Sequence, residues 1–271
     1  MNSDTAFAFF LYFSKLLGLI LGVFIVCGFA VRFFSRAFSR LLGSGSSEIF
    51  DVTSIIGTPI HELGHALMCI LFAHKITRIR LWSPDHPNGV YGFVEHTYNK
   101  RNPWARLGCL LIGLGPILSG LGVTVLMLWL CFPDQWASYL SFSRELTATN
   151  ADFGTLASGV FSLFRSILSG FGEDWLRSII GILVILPASL HISLSWQDIK
   201  SSAGAIPLFL FIVAVFGAAT MATGVTESVQ SWLWLWNVRA MSLFAVVIAF
   251  SMLWLLIALL IKGLKIAASW F

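Results

Sequence analysis

The sequence predicts an all-α polytopic membrane protein with about six transmembrane helices and one β-hairpin inserted between the second and the third. Three observations carry this prediction. Hydrophobic residues make up 57% of the chain and charged residues 11%, a balance foreign to soluble domains. The apolar residues gather in stretches long enough to cross a hydrocarbon layer about 30 Å thick, at residues 6–31, 53–73, 107–132, 175–195, 203–223 and 240–261. Residues 75–98 show an alternating pattern instead, which supplies the hairpin. A net charge of +4 points to no nucleic-acid partner and leaves the lipid bilayer as the expected surrounding.

The first stretch lacks a basic leader region and a small-residue cleavage site, so it reads as a retained span. Arg32, Arg36 and Arg40 then repeat every fourth residue among Phe33, Phe34, Phe38, Leu41 and Leu42. That pattern suits a basic amphipathic helix lying on the membrane surface. Gly43-Ser44-Gly45-Ser46-Ser47 ends it as a linker. Beyond the second span, Ile76, Arg78 and Arg80 alternate with Thr77, Ile79 and Leu81. Pro84-Asp85-His86-Pro87-Asn88-Gly89 turns the chain, and residues 90–94 resume an extended pattern. Residues 155–171 suit a helix lying in the interface. The last two spans hold no charge and no histidine and read as scaffold. The chain is thus one membrane domain over 1–271, with a first span and surface segment at 1–52, a core at 53–204 and two scaffold spans at 205–271. Both termini share a side, and a slight excess of Lys and Arg favours the cytoplasmic one. Pro116, Pro187 and Pro207 each free a backbone carbonyl inside an apolar span. Gly113, Gly115, Ser119 and Gly120 permit close helix approach.

His61-Glu62-Leu63-Gly64-His65 lies inside the second span. Histidines four apart share one helix face, so both imidazoles can reach one metal ion, and Glu62 beside them can take a proton from water. Ionisable groups at membrane depth read as functional by default. A catalytic zinc needs a third protein ligand. The candidates are His74, Asp85, His86, Glu95, His96, His191 and Asp198. Depth along the helices leans towards His191, which also suits a group that orients a ligand. Glu95 and His96 read as solvated residues at the hairpin's end, and His74 and His86 as interfacial. Cys27, Cys69, Cys109 and Cys131 show no C-x-x-C spacing, so neither a disulfide framework nor a thiolate zinc site is indicated.

The apolar His61-Glu62-Leu63-Gly64-His65 span, the hairpin after it and Gly115-Pro116 in the next span resemble the site-2 protease family of intramembrane zinc metalloproteases. The resemblance covers residues 53–204. In that family a later span supplies an aspartate ligand, and Ser195-Trp196-Gln197-Asp198-Ile199-Lys200 looks like its counterpart. The resemblance therefore implies Zn²⁺ held by His61, His65 and Asp198, with Glu62 as general base. It also implies membrane-spanning or membrane-bound protein substrates and a home in the bacterial cytoplasmic membrane. Two positions depart from the family pattern: Ser119 stands where Asn is usual and Ile199 where Gly is usual. An edge strand at residues 90–94 is expected to hold extended substrate. Two other classes compete. One is an inactive membrane scaffold or sensor on the same fold. The other is a metal or solute transporter, which would call for ionisable groups strung along the last two spans.

Overall fold

The computed structural model describes residues 3–43, 45–85, 90–148, 153–169 and 174–268. Five of its helical stretches are long and apolar enough to cross a membrane: Ser3–Leu42, Gly45–Leu71, Pro103–Cys131, Trp196–Ala222 and Thr226–Ala268. The protein is an all-α multi-pass membrane protein with one small two-stranded sheet.

The first stretch begins as α1 (Ser3–Leu17), passes through one π turn at Gly18–Gly22 and continues as α2 (Val23–Leu42). The basic segment expected to lie separately on the surface is therefore the second half of an unbroken helix. No Gly or Pro falls between Gly28 and Gly43, where φ reaches +58° and the chain turns away. Arg32 points inward, its guanidinium donating to the Leu194 carbonyl. Ser35 donates to the Leu190 carbonyl at 3.1 Å.

Helix α3 (Gly45–Leu71) carries the His-Glu-Leu-Gly-His segment. After it, β1 (Lys75–Arg80) and β2 (Phe93–Thr97) pair antiparallel, with Lys75 opposite Thr97 and Arg80 opposite Phe93. The second strand lies further along the chain than residues 90–94. An irregularity between Ile76 and Arg78 shifts the register, and Val90, Tyr91 and Gly92 line a cavity instead of extending the ladder. His86 and most of the expected turn lie outside the described residues. Helix α4 (Pro103–Cys131) starts at Asn102, whose side chain accepts from the Trp104 and Ala105 amides, with Pro103 as the first helical residue.

Helices α5 (Pro133–Ala148) and α6 (Phe153–Ser169) follow. Apolar periodicity identifies α6 correctly as a helix, and its Leu163 and Ile167 are buried against Val246 and Phe250. Helix α7 (Trp175–His191) is apolar but ends four residues before the predicted span does. Its early end has a local cause. The Ser195 hydroxyl accepts from the Asp198 amide at 3.0 Å, and the Asp198 carboxylate accepts from the Ser195 amide at 2.9 Å. This reciprocal cap starts a new helix, α8 (Trp196–Ser202), which passes through a 3-10 turn into α9 (Ile206–Ala222). The last helix, α10 (Thr226–Ala268), is about 65 Å long.

The core forms where α2, α4, α7 and α10 meet, and buries Val31, Ile117, Ala188, Phe244 and Val247 together. Helix α10 thus contributes to the core. Helices α1 and α9 pack at the edge through Tyr12, Leu16 and Val213. The closest crossing is α3 on α4. A Cβ on Gly64 would lie 2.4 Å from the Gly115 carbonyl oxygen, and one on Gly115 would lie 2.6 Å from that of Gly64. The two backbones touch because neither residue has a side chain.

Candidate metal centre

On α3, His61 and His65 lie one turn apart with ring centroids at 5.0 Å. Nδ1 of His61 is 2.8 Å from the His191 carbonyl oxygen, and Nδ1 of His65 is 2.8 Å from that of Ile112. A carbonyl only accepts, so each Nδ1 carries the proton and each Nε2 presents a lone pair. Both acceptors are available for identifiable reasons. Residue 116 would normally donate to the Ile112 carbonyl, but Pro116 has no N–H to give. His191 closes α7, where carbonyls run out of intrahelical donors. A carbonyl freed by a proline in an apolar span thus orients one imidazole of the site.

Asp198 joins them from the first turn of α8. The cap leaves one carboxylate oxygen engaged by the Ser195 amide, while the other lies 3.4 Å from His65 Nε2. His61, His65 and Asp198 each offer one ligand atom, and all three atoms lie within 4.8 Å of one another. Two imidazoles and a carboxylate suit zinc. His191, the competing third ligand, is not in this group. Its Nε2 is 3.1 Å from the Thr53 hydroxyl and its ring packs edge-on against Phe50. It contributes its backbone carbonyl instead of its ring.

Glu62 is 7% exposed and shares a cavity of about 720 Å³ with His61, His65 and Asp198. The lining also includes Val90, Tyr91, Gly92, Phe93 and Val94, together with Gln197. The hairpin arm is tied over α3 by two side chains. The Tyr91 hydroxyl donates to Asp51 at 2.6 Å, and the Trp82 indole donates to Ser54 at 2.8 Å. Burial, and then the Asp51 carboxylate, push the Tyr91 phenol up to about 12, so it keeps its proton throughout the neutral range. Gly92 is wedged in, since a Cβ there would meet the Arg80 and Leu81 carbonyls and Thr58, each at 2.8 Å.

Ser119 donates to the Ile60 carbonyl at 2.7 Å and so ties α4 to α3. It is absent from the cavity lining. Glu95 pairs with Arg78 on the exposed hairpin surface at 3.4 Å, and Asp85 is exposed. His74 is buried and His96 only partly exposed, so His96 is not a simply solvated residue. The two meet each other, Nδ1 to Nδ1, at 2.9 Å beside Cys69. Burial, then the neighbouring histidines, lower the His96 imidazole below its ordinary value.

Sequence reasoning missed two contributors to the first site. Arg32 anchors the Leu194 carbonyl in the segment that delivers Asp198, and Ser195 fixes the Asp198 rotamer. The second had a signal, because Ser-x-x-Asp before an apolar run marks a helix start. No protein-family model matches the chain, and no curated protein or solved structure matches it either.

Proposed function

We propose that this protein is a zinc-dependent intramembrane metalloprotease of the site-2 type, hydrolysing membrane-spanning or membrane-bound proteins in a bacterial cytoplasmic membrane. One observation carries the reading. Two imidazoles of fixed tautomer and one carboxylate converge beside a buried glutamate, in a cavity within a bundle of apolar helices. His61, His65 and Asp198 would hold the metal. When bound, zinc supplies a Lewis acid that acidifies water and polarises a peptide carbonyl. Glu62 then takes a proton from the attacking water and passes it to the leaving amine, so that water and a peptide bond become a carboxylate and an amine.

The carbonyls of Ile112 and His191 keep the two imidazoles aimed during this cycle. A helical substrate has its carbonyls engaged and must be unwound before it can react. Residues 90–94 border the cavity, and a two-stranded sheet leaves one edge of each strand open. An extended substrate segment can add to such an edge. In this proposal α7 is a sixth, short crossing and the hairpin dips towards the membrane to meet the cavity.

The test uses the full chain in detergent, with metal content and hydrolysis of casein as readouts. Wild type is expected to hold zinc and cleave. His61→Ala and Asp198→Ala are expected to lose the zinc of this centre together with cleavage, and Glu62→Gln to keep that zinc and lose cleavage. A wild type free of metal after purification without chelators and zinc add-back would overturn the proposal.

A further inference from the structure

Cys69 lies one helical turn beyond His65 on α3 and is fully buried. The helix ends just past it in an unusual way. Ala73 adopts φ +56°, a left-handed conformation that costs a residue with a side chain about 1–2 kcal/mol. In that turn the His74 amide donates to the Cys69 carbonyl at 2.8 Å, which brings the His74 side chain back beneath the helix end. His74 is 6% exposed. Its Nε2 lies 2.7 Å from the Ala105 carbonyl oxygen of α4, so that nitrogen carries the proton and Nδ1 presents a lone pair. Nδ1 faces Nδ1 of His96, from β2, at 2.9 Å. The Tyr98 ring stacks on His74 with centroids 4.6 Å apart.

We infer that Cys69, His74 and His96 form a second metal centre, which takes zinc or a similar borderline transition-metal ion and pins the root of the β-hairpin to α3 and α4. The three ligand atoms already lie within 4.8 Å of one another. Metal–nitrogen bonds of about 2.0–2.1 Å and a metal–sulfur bond of about 2.3 Å need separations of roughly 3.3–3.6 Å. The two imidazole nitrogens would move apart by a few tenths of an ångström as the ion displaces the proton between them. A thiolate and two imidazoles match a borderline ion and not a hard one such as magnesium. The orienting device is the one seen at His61 and His65: one ring nitrogen is bound to a carbonyl and the other aimed at the cluster. The ligands come from α3, from the turn after it and from β2. Closing the set therefore fixes the hairpin whose other residues line the cavity.

Cobalt distinguishes this centre from the first, because only a thiolate ligand gives a sulfur-to-cobalt charge-transfer band in the near ultraviolet. The full chain in detergent is stripped with chelator and titrated with Co²⁺. The band is expected in wild type and in His61→Ala, and is expected to vanish in Cys69→Ala. His96→Ala should weaken cobalt binding by more than about tenfold. Trypsin cleavage at the exposed Lys75, Arg78 and Arg80 should be slowed by zinc in wild type and unaffected by it in His96→Ala. Wild type without the band, a band that survives Cys69→Ala, or a band lost in His61→Ala would overturn the second centre. The first of these results requires no variant to fold. Zinc-independent trypsin cleavage in wild type would overturn the pinning.

Discussion

Helices α3 and α4 cross in the centre of the molecule, and α1 and α9 cross at its edge. Both crossings join apolar helices and both contain a glycine, but they use it differently. At the edge, a Cβ on Gly217 would find the Leu16 side chain at 3.3 Å, and a polar pair, Tyr12 with Thr220 at 2.9 Å, links the helices. In the centre, Gly64 and Gly115 let two backbones touch, Ser119 bonds across to Ile60, and His65 bonds across to Ile112. The edge is packed by interchangeable side chains. The centre is fixed by backbone atoms, which have no rotamers to relax into, and the metal-ligand candidates sit there. Rigid placement is what a ligand set requires.

The largest test of this contrast is chemical. Glu62→Gln keeps the shape of the central helix and should lower casein hydrolysis by about 10²–10⁴-fold with zinc retained. Equal activity would remove the chemistry from this crossing. Gly64→Val forces a side chain into the Gly115 backbone and should destabilise the protein by about 1–3 kcal/mol, read as a lower midpoint of thermal unfolding in detergent, with metal lost alongside. A tolerated Gly64→Val would show that the close crossing is incidental. Pro116→Ala restores an amide that competes for the Ile112 carbonyl, and zinc affinity should fall by about 10–100-fold in a competition titration. Unchanged affinity would show that the carbonyl does not depend on proline. Gly217→Ala at the edge should shift stability by no more than about 0.5 kcal/mol, with metal content unchanged. A large loss there would erase the distinction between the two crossings.

Much of this was readable in the sequence because it follows from hydropathy and spacing. The apolar runs mark the helices, and His61, Glu62 and His65 follow from the period of the helix that holds them. The alternating segment marks the hairpin, although its second strand forms at Phe93–Thr97. The span around His191 reads four residues too long, because hydropathy carries on through a loop that the Ser195–Asp198 cap interrupts. Depth measured along that overlong span favours His191 as a ligand, whereas the fold brings Asp198 to His65. The inward turn of Arg32 and the meeting of Cys69 with His74 and His96 depend on contacts between segments remote in the chain. No local pattern encodes them.

The acceptors that aim His61, His65 and His74 are all main-chain oxygens, of His191, Ile112 and Ala105. Every amino acid carries that atom. The identity of residues 105 and 112 is therefore unconstrained by the task each performs, provided the helix follows the same path. Such a site can drift through many substitutions around a handful of fixed letters and keep its aim. A residue-by-residue comparison registers the drift, while the oxygens that do the aiming leave no trace in the alphabet.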